Sequence, residues 1–215
     1  MSRKQLLLLA AAAVLLLGGL GAWLAFRGGA SPAAGWEVHA DDRTLGDPKA
    51  KLVLIEYAAP TCPHCAEFNE QVFPDLKRAY IDTGKIFYVL RVLATNPADG
   101  AAEKLARCAP QDRYFAALDT LFRNQALWSP GAGVLDLHGG LMRIGRMLGL
   151  EAAQVDACLN STAEDARINR NSEEAFTRYE VRRVPTFLLN GVTVFEGVPS
   201  METLTQILEG SLAAQ

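Results

Sequence analysis

Cysteine is scarce in this chain, four in 215 residues. That is too few for the disulfide scaffold that staples small secreted domains, and a chain of this length does not need one. Basic charge is also short: 21 lysines and arginines face 24 acids, a formal net charge of −3. Residues 1–30 hold Arg3, Lys4 and Arg27 and no acid. Setting those three bases aside leaves 18 against 24 acids, a net of −6. So acidic a body excludes a nucleic-acid partner, because phosphate binding needs a basic face. No internal repeat is present. With 50% hydrophobic and 21% charged residues, the chain is neither disordered nor collagenous. Its length corresponds to roughly one and a half domains, which suits one core with an inserted lobe.

The N-terminus carries the one long hydrophobic run. Residues 6–26 contain no charge over 21 positions. That exceeds the usual apolar region of a cleaved signal peptide and approaches the span of a bilayer. Two outcomes stay open: cleavage in the small-residue stretch 28–35, or retention as a single anchor in the inner membrane. A buried core helix is the poorer match, since the run is terminal, flanked by charge and not amphipathic. Arg3 and Lys4 outnumber Arg27, so the N-terminus is expected to stay cytoplasmic while the body is exported. No cysteine follows the run, so a lipoprotein attachment site is not expected. Export places the body in an oxidising compartment, the periplasm, where cysteine pairs can be disulfides.

Beyond a linker at 31–44, the pattern alternates. Residues 36–38 read as a short strand, and Gly46, Asp47 and Pro48 as a loop. Residues 51–57 (KLVLIEY) have the length and β-branched content of a strand. Residues 62–80 show helical spacing through Phe68, Val72, Phe73, Leu76 and Tyr80. Residues 86–93 (IFYVLRVL) form a second strand, completing a parallel strand–helix–strand unit. From 97 to 180 no strand is visible. Helices are expected near 98–109, 111–124, 140–148, 151–159 and 162–179. Two β-rich runs, 186–189 and 192–196, flank Asn190-Gly191, a strong hairpin signal. Ser200 then caps a last helix, 201–212. The organisation is therefore residues 1–30 as signal peptide or anchor, 31–44 as linker, 45–96 and 181–215 as the halves of one α/β domain, and 97–180 as an inserted helical lobe.

The chemistry concentrates at Cys62-Pro63-His64-Cys65, where the first strand meets the helix. A C-x-x-C beside a βαβ pattern reads as a thioredoxin-like redox motif. Two intervening residues at a helix start bring the sulfurs within disulfide distance. Cys62 at the helix N-terminus faces free N–H groups and the positive end of the helix dipole, both of which favour a thiolate. Pro63 suits the first turn because its missing N–H would be unpaired there anyway. His64 adds positive charge or a hydrogen-bond donor beside Cys62. A stabilised thiolate belongs to the reduced form, so it makes the disulfide form oxidising. The competing reading is a zinc half-site or a chance pair, with Cys108 and Cys158 too remote to complete it.

The strand 52–57, the CPHC motif, Val184-Pro185-Thr186 before the hairpin and the helical insertion together resemble the DsbA-like thiol-disulfide oxidoreductases of the thioredoxin superfamily. The resemblance covers most of residues 45–210. It implies a thioredoxin-like mixed sheet of α/β class with an inserted all-helical lobe. It implies that Pro185 is cis, with Val184 before it receiving the client's extended chain. It implies that Glu56 is buried near the motif and exchanges a proton with Cys65. Cys108 and Cys158 are either a second, structural bridge, as part of the family has, or two buried thiols. The implied activity is dithiol oxidation of reduced, unfolded secreted proteins through Cys62 and Cys65. A DsbB-like, quinone-linked membrane protein is the implied reoxidant. No cofactor, no metal and a monomer are expected. Two alternatives remain: a reductase or isomerase using the same motif, and a copper- or zinc-binding module built on Cys62, His64 and Cys65. His39 and His138 lack ligand spacing.

Overall fold

The computed structural model describes residues 37–215. The signal peptide or anchor at 6–26 and the linker up to residue 36 lie outside the described residues. Two strands form the centre of the sheet, β2 (Leu52–Ala58) and β3 (Ile86–Val92). They run parallel, with Leu54 opposite Tyr88, Glu56 opposite Leu90 and Tyr57 opposite Arg91. Apart from Val53 and Phe87, every residue of both strands is buried. That explains why they read as continuous apolar runs rather than as alternations. The full sheet has five strands in the order β1-β3-β2-β4-β5. The edges are β1 (Arg43–Gly46), antiparallel to β3, and the hairpin β4 (Thr186–Leu189) with β5 (Val192–Glu196), antiparallel to β2. Asn190 and Gly191 take positive φ, 48° and 80°, as the tight hairpin turn requires. Asn190 also accepts from the Val53 N–H through its side chain at 2.8 Å.

Two local expectations need correction. Residues 37 and 38 are irregular, and the first strand is instead β1. Its four residues are too few to show a period. The helix expected over 62–80 is three pieces: α1 (Pro63–Gln71), α2 (Phe73–Leu76) and a π-helical turn (Lys77–Ile81). Pro74 explains the break, because it has no N–H to give the Glu70 carbonyl four residues back.

Between β3 and β4 lie α3 (Pro97–Cys108), α4 (Tyr114–Arg123), α5 (Gln125–Trp128), α6 (Leu137–Met147), α7 (Ala152–Leu159) and α8 (Thr162–Thr177); α9 (Met201–Ala213) closes the chain. The short α5 has no helical period of its own to read. Asp136 caps α6 through the Gly139 N–H, so that helix starts earlier than 140. Cys108 at the end of α3 is bridged to Cys158 in α7, with Cα atoms 6.0 Å apart. The fold is thus a thioredoxin-like mixed sheet with an inserted helical lobe.

Strand alternation sends Glu56 to one face of the sheet and Tyr57 and Arg91 to the other. Arg91 is fully buried there and is paired with Asp42 at 2.8 Å and Glu174 at 3.1 Å. That network holds α8 and the segment before β1 against the sheet. On the Glu56 face α1 packs through Cys65, Ala66 and Phe68, with the Phe68 ring 4.7 Å from that of Phe187.

The seat of α5 is set by α6. A Cβ on Gly140 would lie 2.6 Å from the Trp128 Cα, so only glycine permits this approach. Trp128 is buried and donates to the Leu121 carbonyl at 2.9 Å. Gly140→Ala is expected to cost about 2 kcal/mol in urea unfolding, from overpacking; a midpoint equal to that of the native chain would contradict this contact.

Candidate active site

Cys62 is the N-cap of α1, with extended dihedrals of −76° and 121° and Pro63 following it in the first turn. The sequence puts the helix start here because Pro63 supplies a preset φ and needs no partner for its nitrogen. Cys62 is partly exposed and Cys65, one turn on, is fully buried. The two thiols therefore sit in unlike surroundings. The Cys62 thiol ionises at about 6. The largest cause is the hydrogen bond from the Cys65 thiol. Burial works against it, and the N–H groups of Cys65 and His64, then the charge of His64, add to it. Cys65 is pushed well above the ordinary thiol value, first by burial, then by the Cys62 thiolate and Glu56. The Ala59 N–H, 3.5 Å from the Cys65 sulfur, offsets only part of that. One sulfur is thus a thiolate at neutral pH while its partner keeps the proton.

Glu56 lies in β2, only 2% exposed. Burial lifts its carboxyl to about 8; the hydrogen bond from Tyr88 lowers it somewhat, and the Cys62 charge raises it. The Tyr88 hydroxyl donates to Oε2 of Glu56. Tyr88 is itself buried and stacks near Phe73 at 5.1 Å. The carboxyl feels both cysteines, since it figures among the causes for Cys65 and Cys62 among its own.

The peptide bond between Val184 and Pro185 is cis. The Val184 carbonyl is 3.6 Å from the Cys62 sulfur and accepts from the thiol when that is protonated. The structure therefore brings Cys62, Cys65, Val184, Pro185 and Glu56 to one end of β2. The sequence expects His64 to bring charge or a hydrogen-bond donor to Cys62, and its backbone N–H and its charge both lower the Cys62 thiol. Its ring is 71% exposed and meets Glu67 at 3.3 Å through Nδ1, so its nearest service to Cys62 is its backbone N–H. His39 pairs with Glu174 at 2.9 Å and His138 with Asp156 at 2.8 Å. Among the described residues, no three histidines, cysteines or acids are grouped to hold a metal ion.

Sequence reading missed two residues beside the motif. Gln125, opening α5, donates through Nε2 to the carbonyls of Pro60 at 2.8 Å and Cys62 at 3.1 Å. Asp99, fully buried in α3, accepts from the N–H and hydroxyl of Thr61 at 2.8 and 2.7 Å. A signal for Asp99 was present: Asn96 and Asp99 form a capping box at the start of α3. Gln125 carries no such signal.

A family model described as Thioredoxin matches residues 39–210. A Rickettsia conorii protein named for protein-disulfide oxidoreductase activity is 32% identical over 181 residues, 84% of this chain. The chain spans 64% of the length of that relative. The crystal structure of Wolbachia pipientis alpha-DsbA1 superposes with a TM-score of 0.75 at 26% identity, covering 86% of this chain and 97% of that one. A protein-disulfide isomerase from Novosphingobium aromaticivorans superposes with a TM-score of 0.67 at 25% identity, covering 80% and 97%.

The raised Glu56 carboxyl has a stability consequence. The unfolded chain releases this proton near 4.5 and the folded chain near 8. Stability therefore falls as pH rises through that window, because the unfolded state binds fewer protons, and it levels off above it. Glu56→Gln is expected to remove the slope. The variant should match the native chain near pH 4 and exceed it by on the order of 5 kcal/mol above pH 8. Urea unfolding of the oxidised proteins, in which neither Cys62 nor Cys65 titrates while burial, the largest cause, still acts on Glu56, checks this. Parallel pH curves would refute it.

Proposed function

The chain belongs to the thioredoxin family as a DsbA-like member, and from that we propose that it is an exported protein-disulfide oxidoreductase working as a dithiol oxidase. The observation that carries the direction is the contrast between the two thiols. Stabilising Cys62 as a thiolate lowers the free energy of the reduced form alone, because the disulfide has no thiolate to stabilise. Reduction of the Cys62–Cys65 bond is favoured to that extent, and the protein oxidises its clients.

The cycle follows from the geometry. A client thiolate attacks the Cys62 sulfur, the more exposed of the pair. The Cys62–Cys65 bond breaks, and its electrons leave on Cys65. Cys65 is too buried to hold that charge, so it takes a proton; in this reading Glu56, which still carries one at neutral pH, gives it. A second client thiolate then attacks the client sulfur of the mixed disulfide, and Cys62 departs as the better leaving group. The client has lost two electrons and two protons, and the protein has gained the electrons. In reoxidation the Cys65 proton returns to Glu56. The Val184 backbone beside Cys62 offers an edge for an extended client segment. A DsbB-like, quinone-linked membrane protein would take the electrons, and reduced, unfolded secreted proteins would supply them. The apolar run 6–26 accounts for export, either cleaved or kept as an anchor. Among the described residues, no helix is long and apolar enough to cross a membrane.

Equilibration of the full chain with glutathione tests the direction. A potential well above about −200 mV is expected, and a value near about −270 mV, that of thioredoxin, would make the protein a reductant. Cys65→Ala should accumulate a mixed disulfide through Cys62 with a disulfide-bonded client, Cys62 attacking that bond and one client sulfur leaving as a thiolate. Absence of the adduct, with stoichiometric copper or zinc bound instead, would move the function to metal binding.

A further inference from the structure

We propose that Gln125 and Asp99, both on the helical lobe, are positioning residues that hold the first turn of α1 in the orientation the Cys62 nucleophile needs. The inference rests on the oxidoreductase reading and deepens it, since it assigns to the inserted lobe control of the reacting sulfur.

Pro60, Thr61 and Cys62 are the last three residues before α1. Each is gripped by a lobe side chain. Gln125 binds the carbonyls of Pro60 and Cys62 at 2.8 and 3.1 Å. Asp99 binds the N–H and the hydroxyl of Thr61 at 2.8 and 2.7 Å through Oδ1. The segment's own backbone holds it more sparsely, with the Cys62 N–H on the Ala59 carbonyl at 3.0 Å and the Ala66 N–H on the Cys62 carbonyl at 3.2 Å. Both grips come from anchored side chains. The second oxygen of Asp99 accepts from the N–H and hydroxyl of Thr95 at 2.9 and 2.8 Å, and from the N–H and amide of Asn96 at 3.2 and 3.0 Å. Gln125 opens a helix whose other end is Trp128, wedged against Gly140.

Neither side chain is bonded to a sulfur, so neither is catalytic in its own right. Their leverage is geometric. The Cys65 thiol, and to a lesser extent the N–H groups of Cys65 and His64, lower the Cys62 thiol, and hydrogen bonds of this kind weaken steeply with misalignment. A released Pro60–Cys62 segment can rotate Cys62 away from those donors. Gln125 carries no charge, so replacing it alters Cys62 ionisation through geometry and not through an added or lost ion.

The test is the thiolate titration of Cys62, read by ultraviolet absorbance on the reduced full chain, in Gln125→Met and Thr61→Val. The first removes both amide donors at similar volume. The second removes the hydroxyl from Asp99. Each should raise the midpoint by about half a unit to one unit, which is a three- to tenfold loss of thiolate stabilisation. The glutathione equilibrium should move toward the disulfide form by the same factor. Asn160→Leu is the control. It deletes a lobe hydrogen bond to the Asp156 carbonyl, 2.9 Å long, on α7 and not on α3 or α5, and should lower the melting temperature without moving the titration. Folded Gln125→Met and Thr61→Val proteins that titrate as the native chain does would overturn the proposal. If one variant fails to fold, the other decides. A native chain that never exchanges with glutathione would sink the oxidoreductase reading instead, while the titration still judges the positioning role.

Discussion

The site depends on one turn of helix. At the start of α1 the backbone has N–H groups without helical partners, and those of Cys65 and His64 act with the Cys65 thiol, the larger cause, to lower the Cys62 thiol. The rest of the site either delivers the chain to that turn or manages the proton that the turn displaces. The sheet does the first: β2 ends at Ala58, and four residues later Cys62 begins the helix. Burial of Cys65 does the second, because a sulfur packed under α1 keeps its proton and lends it as a hydrogen bond to its neighbour.

A consequence is that two chemically identical residues, three positions apart, do opposite work. The difference comes from burial, since Cys65 is enclosed and Cys62 is partly exposed at the helix start. Glu56 belongs to the same arrangement. A carboxyl inside the sheet face is costly as an ion, and here that cost raises its titration to about 8. Tyr88 satisfies the carboxyl without charging it fully. On the opposite face, Arg91 resolves its burial by pairing with Asp42 and Glu174. One sheet thus carries a neutralised acid on its reactive side and a paired cation on its structural side.

Much of this was legible in the residues. The central strands are apolar runs, the hairpin is marked by Asn190-Gly191, and CPHC at a strand–helix junction names its own chemistry. The sheet edge β1 was not legible, because four residues cannot show a period and its pairing with β3 is long-range. The interruption at Val72 was hidden by the continued helical spacing of Phe73, Leu76 and Tyr80, although Pro74 forces it. His64 read as a charge or a donor beside Cys62; its ring turns outward to Glu67, while its backbone N–H and its charge both lower the Cys62 thiol. Gln125 was invisible for a different reason. It lies 63 positions from Cys62, and only the fold brings a neutral amide onto two carbonyls.

The most direct measurement is the absorbance titration of the Cys62 thiolate in the reduced, native full chain. The account predicts a midpoint near 6, lost when the protein is unfolded in denaturant. A midpoint near 9, the ordinary thiol value, would mean that the turn does not hold the thiolate, and the argument for an oxidant would fall with it.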